Sequence, residues 1–313
     1  MKTILTLALM AAIASSQAAV ISLATPVSNS LTPSAIYWDY NSSSGSVVSD
    51  GSGNGYGGTL TVGLDNSTPV NTPTLATGVD LAGTSGYGQA VSVVGKNNNP
   101  AYTSNMNPSV RYGPGAAAAY AMSGGVSFTG GTWVNMNIGA STVPVDTNLN
   151  MYLMGSGQTY ATSSHWGLVL ARTSGGAWSL GLSVGSGAAQ SSVFTSIAMG
   201  DVLDSTWHHV GFNYNGTTNE VTLWIDGVSI ATNSLTNGIG APANLTDRTF
   251  RVGERVESSF EELSFTGKFD DTFVTSGIHT FTAVPEPSIT ALMMGVAVLL
   301  AASFRRWSKS RRG

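Results

Sequence analysis

The stretch STWHHVGFNYNGTTNEVTLWIDG, residues 205–227, decides the fold class. Successive side chains of a strand point to opposite faces, so Val221, Leu223 and Ile225 share one face while Thr222 and Trp224 take the other. Just upstream, Val210, Phe212 and Tyr214 form a second inward row, closed by the loop from Asn215 to Asn219. Asp226-Gly227 reads as a type I′ hairpin turn, because both of its central positions need positive φ and Gly tolerates this freely. Three consecutive strands therefore make an antiparallel meander.

Outward from this meander, alternation of apolar with small or polar residues recurs along the chain. Candidate strands are Ala35 to Tyr40, Leu60 to Val62, Ala90 to Val94, Val126 to Phe128, Trp133 to Ile138, Met151 to Met154 and Trp166 to Ala171. Further candidates are Trp178 to Val184, Val193 to Ile197, His209 to Tyr214, Glu220 to Ile225, Val228 to Ala231, Phe250 to Val252 and Phe269 to Val274. Most are bounded by Gly, Ser, Asn or Asp, the pattern of half-buried antiparallel strands. Gly115 to Met122 is Ala-rich but too brief for a convincing amphipathic helix. Two packed sheets forming one all-β domain are expected.

Composition agrees. The 313 residues include 38 glycines and no cysteine, and only 10% are charged, against about 25% in ordinary soluble domains. Without Cys there is no disulfide framework, thiolate zinc site or thiol nucleophile. Residues 19–284 carry sixteen acidic and seven basic side chains, so this body repels phosphates and nucleic acid is not an expected partner.

Both ends read as addresses. Lys2, the apolar run from Ile4 to Ala14 and the small residues through Ala19 make residues 1–18 a secretory signal peptide cleaved after Ala18; an uncleaved anchor is the alternative. At the other end, Val284-Pro285-Glu286-Pro287-Ser288 precedes an uncharged stretch from Ile289 to Phe304. Arg305, Arg306, Lys309, Arg311 and Arg312 follow. The prolines keep the approach extended, residues 289–304 form a transmembrane helix, and the cations hold the terminus on the cytoplasmic side. This order of motif, helix and basic stop resembles the PEP-CTERM sorting signal, over residues 285–313. The resemblance implies an exosortase-type membrane protease as partner. It also implies transient anchoring in the inner membrane of a Gram-negative bacterium before release to the cell envelope or exterior. A plain C-terminal anchor on a proline-rich stalk is the alternative.

A second resemblance covers roughly residues 35 to 277. The string from Ser205 to Gly216, continuing through Leu223-Trp224-Ile225-Asp226-Gly227, is similar to the signature of laminin-G-like domains of the concanavalin A type. Tyr37-Trp38-Asp39-Tyr40 with the loop Asp50 to Gly55 resembles the family's opening strand and loop. Phe128 to Val134 resembles its central aromatic strand, and Gly267-Lys268-Phe269-Asp270-Asp271 its closing strand. Thr272-Phe273-Val274 departs from the aliphatic residues usual there and loosens the register. The resemblance implies a concanavalin A-like jelly-roll sandwich of two antiparallel sheets for residues 19–284.

Chemistry is weighed site by site, because this fold hosts lectins and glycosidases alike. A retaining glycosidase needs two carboxylates about 5 Å apart. Glu254, Glu257, Glu261 and Glu262 offer no same-face pair two residues apart, and a regular strand points adjacent Asp270 and Asp271 to opposite faces. No enzyme activity is expected. The four histidines, His165, His208, His209 and His279, accompany no nucleophile elbow, and adjacent His208 and His209 face opposite ways, which suits no shared metal. Calcium is the cofactor weighed: Asp50 in a carbonyl-rich loop and Asp270 at the closing strand are the candidate ligands, with a solvated turn and strand-end carboxylate as the equal alternative. Trp166, Trp178 and Trp224 are weighed as stacking platforms for sugar rings against core residues, with Trp224 favoured because it opposes the inward aliphatic row. The leading expectation is an envelope-sorted recognition protein binding an extracellular polysaccharide or glycoprotein. A structural matrix or coat protein and a glycoside hydrolase are the alternatives.

Overall fold

The computed structural model describes residues 19–23, 36–41, 43–61, 63–65, 68–71, 73–77, 88–93, 109–112, 126–137, 149–157, 165–186, 189–198, 201–237, 249–253 and 267–282. The signal segment, Gly115 to Met122, Glu254 to Glu262 and the tail from Pro285 lie outside them. Among the described residues no helix is long and apolar enough to cross a membrane.

The strands of the first part are β1 (Ala19–Ser22), β2 (Ile36–Trp38), β3 (Val47–Val48), β4 (Gly58–Thr61), β5 (Gly63–Asp65), β6 (Thr68–Asn71), β7 (Thr74–Thr77), β8 (Gln89–Val93) and β9 (Ser109–Tyr112). Then come β10 (Phe128–Asn137), β11 (Leu149–Gly157), β12 (His165–Arg172), β13 (Trp178–Ser186), β14 (Ala189–Ile197) and β15 (Asp204–Asn215). The chain closes with β16 (Glu220–Ile225), β17 (Val228–Ser234), β18 (Thr249–Val252), β19 (Gly267–Ser276) and β20 (His279–Thr282).

These strands form an all-β sandwich of antiparallel sheets. The front sheet runs β17-β16-β15-β10-β19-β8-β7, with β2 also paired to β19; the back sheet runs β14-β13-β12-β11-β18-β9-β4-β3. The meander read from the sequence is β15-β16-β17. Its inward rows are buried as expected: Val210, Phe212, Tyr214, Val221 and Leu223 are fully covered and Ile225 nearly so. Asp226 and Gly227 have φ of 49° and 79°, the two positive values a type I′ turn requires.

Aromatic rings tie the sheets together. Trp38 meets Phe250 at 5.0 Å between centroids, and Trp166 meets Phe128 at 5.4 Å and Phe212 at 5.2 Å. Trp38 donates its indole N–H to the Tyr56 carbonyl at 2.8 Å, which satisfies the polar end of a ring buried for its apolar body. Each such ring contributes about 2–3 kcal/mol by leaving water.

Two expectations need correction. The sequence reading broke the chain at Gly130-Gly131, but β10 runs through both. The glycines are there because rings lie on them: a Cβ at Gly130 meets Phe212 at 2.7 Å, and one at Gly131 meets His209 at 2.7 Å. The β10–β19 ladder then slips, with Gly131 opposite Phe273 but Trp133 opposite Asp270. Asp271 and Thr272 thus face the single residue Thr132, a bulge with Asp271 at φ 44°. Asp270 and Asp271 are consequently both buried and do not follow regular alternation.

β1 and β20 form a separate parallel ribbon, Ala19 opposite His279 and Ser22 opposite Thr282. Neither strand was expected. Ile21, Leu23 and Phe281 from this ribbon pack with Tyr37, Trp133 and Phe273 in a second apolar cluster, against which Trp207 and Trp224 lean. A third layer therefore covers part of the front sheet's outward face.

Candidate functional site

The outward face of the front sheet is built in rows by strand register. Phe273, Gly131, Gly211 and Trp224 lie across β19, β10, β15 and β16. Asp270, Trp133 and His209 make the next row, and Lys268, Asn135 and Trp207 the one after. Bare glycines in the first row leave a hollow between aromatic walls. Phe281 fills it: a Cβ on Gly211 meets the Phe281 ring at 3.0 Å. Its centroid lies 4.9 Å from His209, 5.5 Å from Trp224 and 6.1 Å from Phe273.

This aromatic box holds polar atoms that find no hydrogen bond. Both ring nitrogens of His209 and the indole nitrogens of Trp133 and Trp224 are buried and unsatisfied. Each such group costs about 1–3 kcal/mol relative to a satisfied one. Burial holds His209 neutral and pushes its pKa down to about 3, against a weaker upward pull from Asp226. Trp133 stands edge-on to the imidazole at 5.6 Å and Phe273 stacks on it at 6.1 Å.

At the neighbouring rim, His208 points the other way, as expected of adjacent strand residues. Its Nδ1 bonds Asp226 Oδ2 at 2.7 Å, and Nε2 lies 3.1 Å from Asp204 Oδ1 and 2.9 Å from the Thr206 hydroxyl. Partial burial works against the charged ring, but the bonds and charges of Asp226 and Asp204 outweigh it and raise its pKa. Burial is the largest single influence on Asp204 and acts upward, but the bonds from Thr206 and His208 together prevail and hold its pKa down at about 2. Asp226 also accepts the His209 N–H through Oδ1 at 2.7 Å. The turn carboxylate thus serves the turn, the imidazole and the backbone at once.

The carboxylates weighed for calcium have other work. Asp50 Oδ1 accepts from the Ser52 N–H at 3.0 Å, the Ser52 hydroxyl at 2.7 Å and the Tyr37 N–H at 3.2 Å, and Oδ2 accepts from the Tyr56 N–H at 2.9 Å. This is the loop-capping alternative of the sequence reading. Asp270 accepts the Asp271 N–H at 2.8 Å, and the Tyr37 hydroxyl donates to Asp271. Burial, with a smaller contribution from Asp270, Asp271 and Asp39, raises the pKa of Tyr40 and keeps its hydroxyl protonated on Thr272. Among the described residues no group of three or more histidines, aspartates or glutamates is arranged to hold a metal ion.

Of the three tryptophans weighed as platforms, Trp166 and Trp178 are in the sandwich core. Trp224 is on the outward face, half-buried beside Phe281. Trp133 and His209 were not singled out as ligand contacts; the available signal was Gly131 and Gly211 inside strands, where a missing side chain marks close approach.

With this geometry in place, the comparisons fall on the strands that build it. Residues 123–277 match the family model of the concanavalin A-like lectin/glucanases superfamily. That segment contains β10 to β19, hence every row of the outward face just described. No curated protein matches the chain. Among solved structures, the binding domain of Paraclostridial Mosquitocidal Protein 1 is similar at 15% identity and TM-score 0.48, over 82% of this chain and 51% of that one. Domain 4 of AbnA, a GH43 extracellular arabinanase from Geobacillus stearothermophilus solved with arabinotriose, is similar at 16% identity and TM-score 0.48, over 78% and 92%. The botulinum neurotoxin serotype C1 binding domain is similar at 13% identity and TM-score 0.47, over 83% and 51%. The chain thus spans about half the length of the two toxin chains and most of the arabinanase domain.

Proposed function

We propose that the protein is an exported, non-catalytic recognition protein whose concanavalin A-like domain binds carbohydrate on an extracellular polysaccharide or glycoprotein. The observation that carries this reading is the outward aromatic face of the front sheet, where ring faces and unsatisfied nitrogens stand side by side in a lectin/glucanase-type domain. Sugars present apolar ring faces for stacking and hydroxyls for hydrogen bonds; on this face Trp207 and Trp224 are half-buried, while Trp133, His209 and Phe273 are buried beside the β1-β20 ribbon. The described carboxylates Asp50, Asp204 and Asp226 are spent on loops and turns rather than paired across a cleft.

Export and sorting complete the proposal. The signal peptide 1–18 directs the body across the inner membrane. The apolar stretch 289–304 holds it there, and an exosortase-type protease acts at Pro285-Glu286-Pro287 ahead of Arg305 and Arg306. The route ends in the cell envelope or exterior.

A glycan array with full-length protein, run with and without a calcium chelator, tests the binding reading. Saturable binding competed by free sugar and indifferent to chelation is expected. Flat signals across a broad panel favour a matrix or coat component instead. Mass spectrometry of cell-derived protein tests the sorting: the terminus is expected to be lost near Pro285 to Pro287, and recovery of the intact basic tail contradicts processing.

A further inference from the structure

The ribbon β1-β20 is fastened to the sandwich differently from every strand beneath it. Its ladder is internal, pairing only its own two strands, so neither shares a sheet with the front layer. A lone two-stranded ribbon is marginal in water. What seats this one is the side chains Ile21, Leu23 and Phe281, together with His279, whose N–H donates to the Thr129 hydroxyl at 3.0 Å and whose Nε2 lies 3.0 Å from the Ser276 carbonyl. In that seat it buries Trp133 Nε1, Trp224 Nε1 and both His209 nitrogens without giving them partners. Buried polar groups without a hydrogen bond are exceptions in a folded protein and each calls for an explanation; here three neighbouring side chains share the condition, whereas Trp166 Nε1 carries it between the sheets.

We propose that the β1-β20 ribbon is a displaceable strap over a latent sugar site. Phe281 is the plug, and the site is the hollow floored by Gly211 and walled by Trp133, His209, Trp224 and Phe273. This deepens the carbohydrate reading above and rests on it. The occupant is a pyranose or furanose ring, which replaces the Phe281 ring on the aromatic walls and brings hydroxyls to the indole N–H groups and the imidazole. The four wall side chains are uncharged, and the nearest ionisable neighbours, Asp270 beside Trp133 and Asp226 on the His209 N–H, are acidic, so a neutral sugar suits the hollow better than an anionic one.

Phe281 can be trimmed without touching the walls. Full-length wild type, Phe281→Ala and Phe281→Leu are titrated with a panel of neutral oligosaccharides, arabinotriose included. Phe281→Ala is expected to bind at least tenfold more tightly than wild type, because the ring that competes with the sugar is gone, and Phe281→Leu, which keeps an apolar side chain in the seat, to fall between them. Equal binding by wild type and both variants overturns the strap and leaves the carbohydrate reading standing. No binding by any form, Phe281→Ala and Phe281→Leu included, overturns both.

Discussion

His208 and His209 are neighbours in sequence and opposites in chemistry, and the pH dependence of stability separates them. His209 is buried and neutral, with its pKa pushed down to about 3, whereas in the unfolded chain it titrates near 6.5. Its folded-state pKa is depressed, so its contribution is complete above about pH 6.5 and is lost as the pH falls toward 3, by up to about 1.4 kcal/mol per pH unit. His208 has the reverse sign: its pKa is raised by Asp226 and Asp204, so its contribution is complete below about pH 6.5 and is lost as the pH rises through the raised value. Urea unfolding of His209→Phe from pH 3 to 8 is expected to show a shallower acid decline than wild type, with stability near pH 7 unchanged or improved because a nitrogen pair without partners has gone. An unchanged acid slope contradicts the burial described for this ring. The opposed facing of the two histidines was legible in strand alternation. The covering of His209 was not, because the rings that lie against it, Trp133, Phe273 and Phe281, come from other strands some 60 to 80 positions away along the chain.

At the scale of elements, β16 was readable to the residue, since an Asp-Gly turn and two alternating rows constrain each other, while β15 begins at Asp204 rather than His209 and β17 runs to Ser234 rather than Ala231. β10 was not. Two adjacent glycines look like a break until the rings of Phe212 and His209 are seen resting on them. Gly130→Ala and Gly131→Ala are each expected to lower stability by about 1–3 kcal/mol through overpacking, whereas Gly45→Ala, with nothing within 4 Å but φ of +60°, is expected to lose only about 1 kcal/mol through backbone strain. Thermal or urea unfolding of the three variants decides it, and equal losses at all three sites contradict the close ring contacts. The β19 bulge was hinted at by Thr272-Phe273-Val274, which loosened the register there. Its consequence, burial of both Asp270 and Asp271, is invisible to a period-two reading because an extra residue breaks the period.

For the whole molecule, the ends matter as much as the sandwich. The sequence reading places signal cleavage after Ala18 and the sorting motif from Pro285; the first and last described strands are Ala19–Ser22 and His279–Thr282. Neither strand was read from the sequence: each is only four residues long and pairs with a partner at the other end of the body. Their parallel pairing spans almost the entire body, so it is among the last contacts the chain can close. It also lets one layer cover the face on which the recognition account depends. The most direct test is a heteronuclear NMR titration of the tryptophan indole N–H signals with the tightest-binding oligosaccharide. The account predicts saturable shifts at Trp133 and Trp224 while Trp38 and Trp166, between the sheets, stay in place; shifts confined to other indoles, or none at saturating sugar, contradict it.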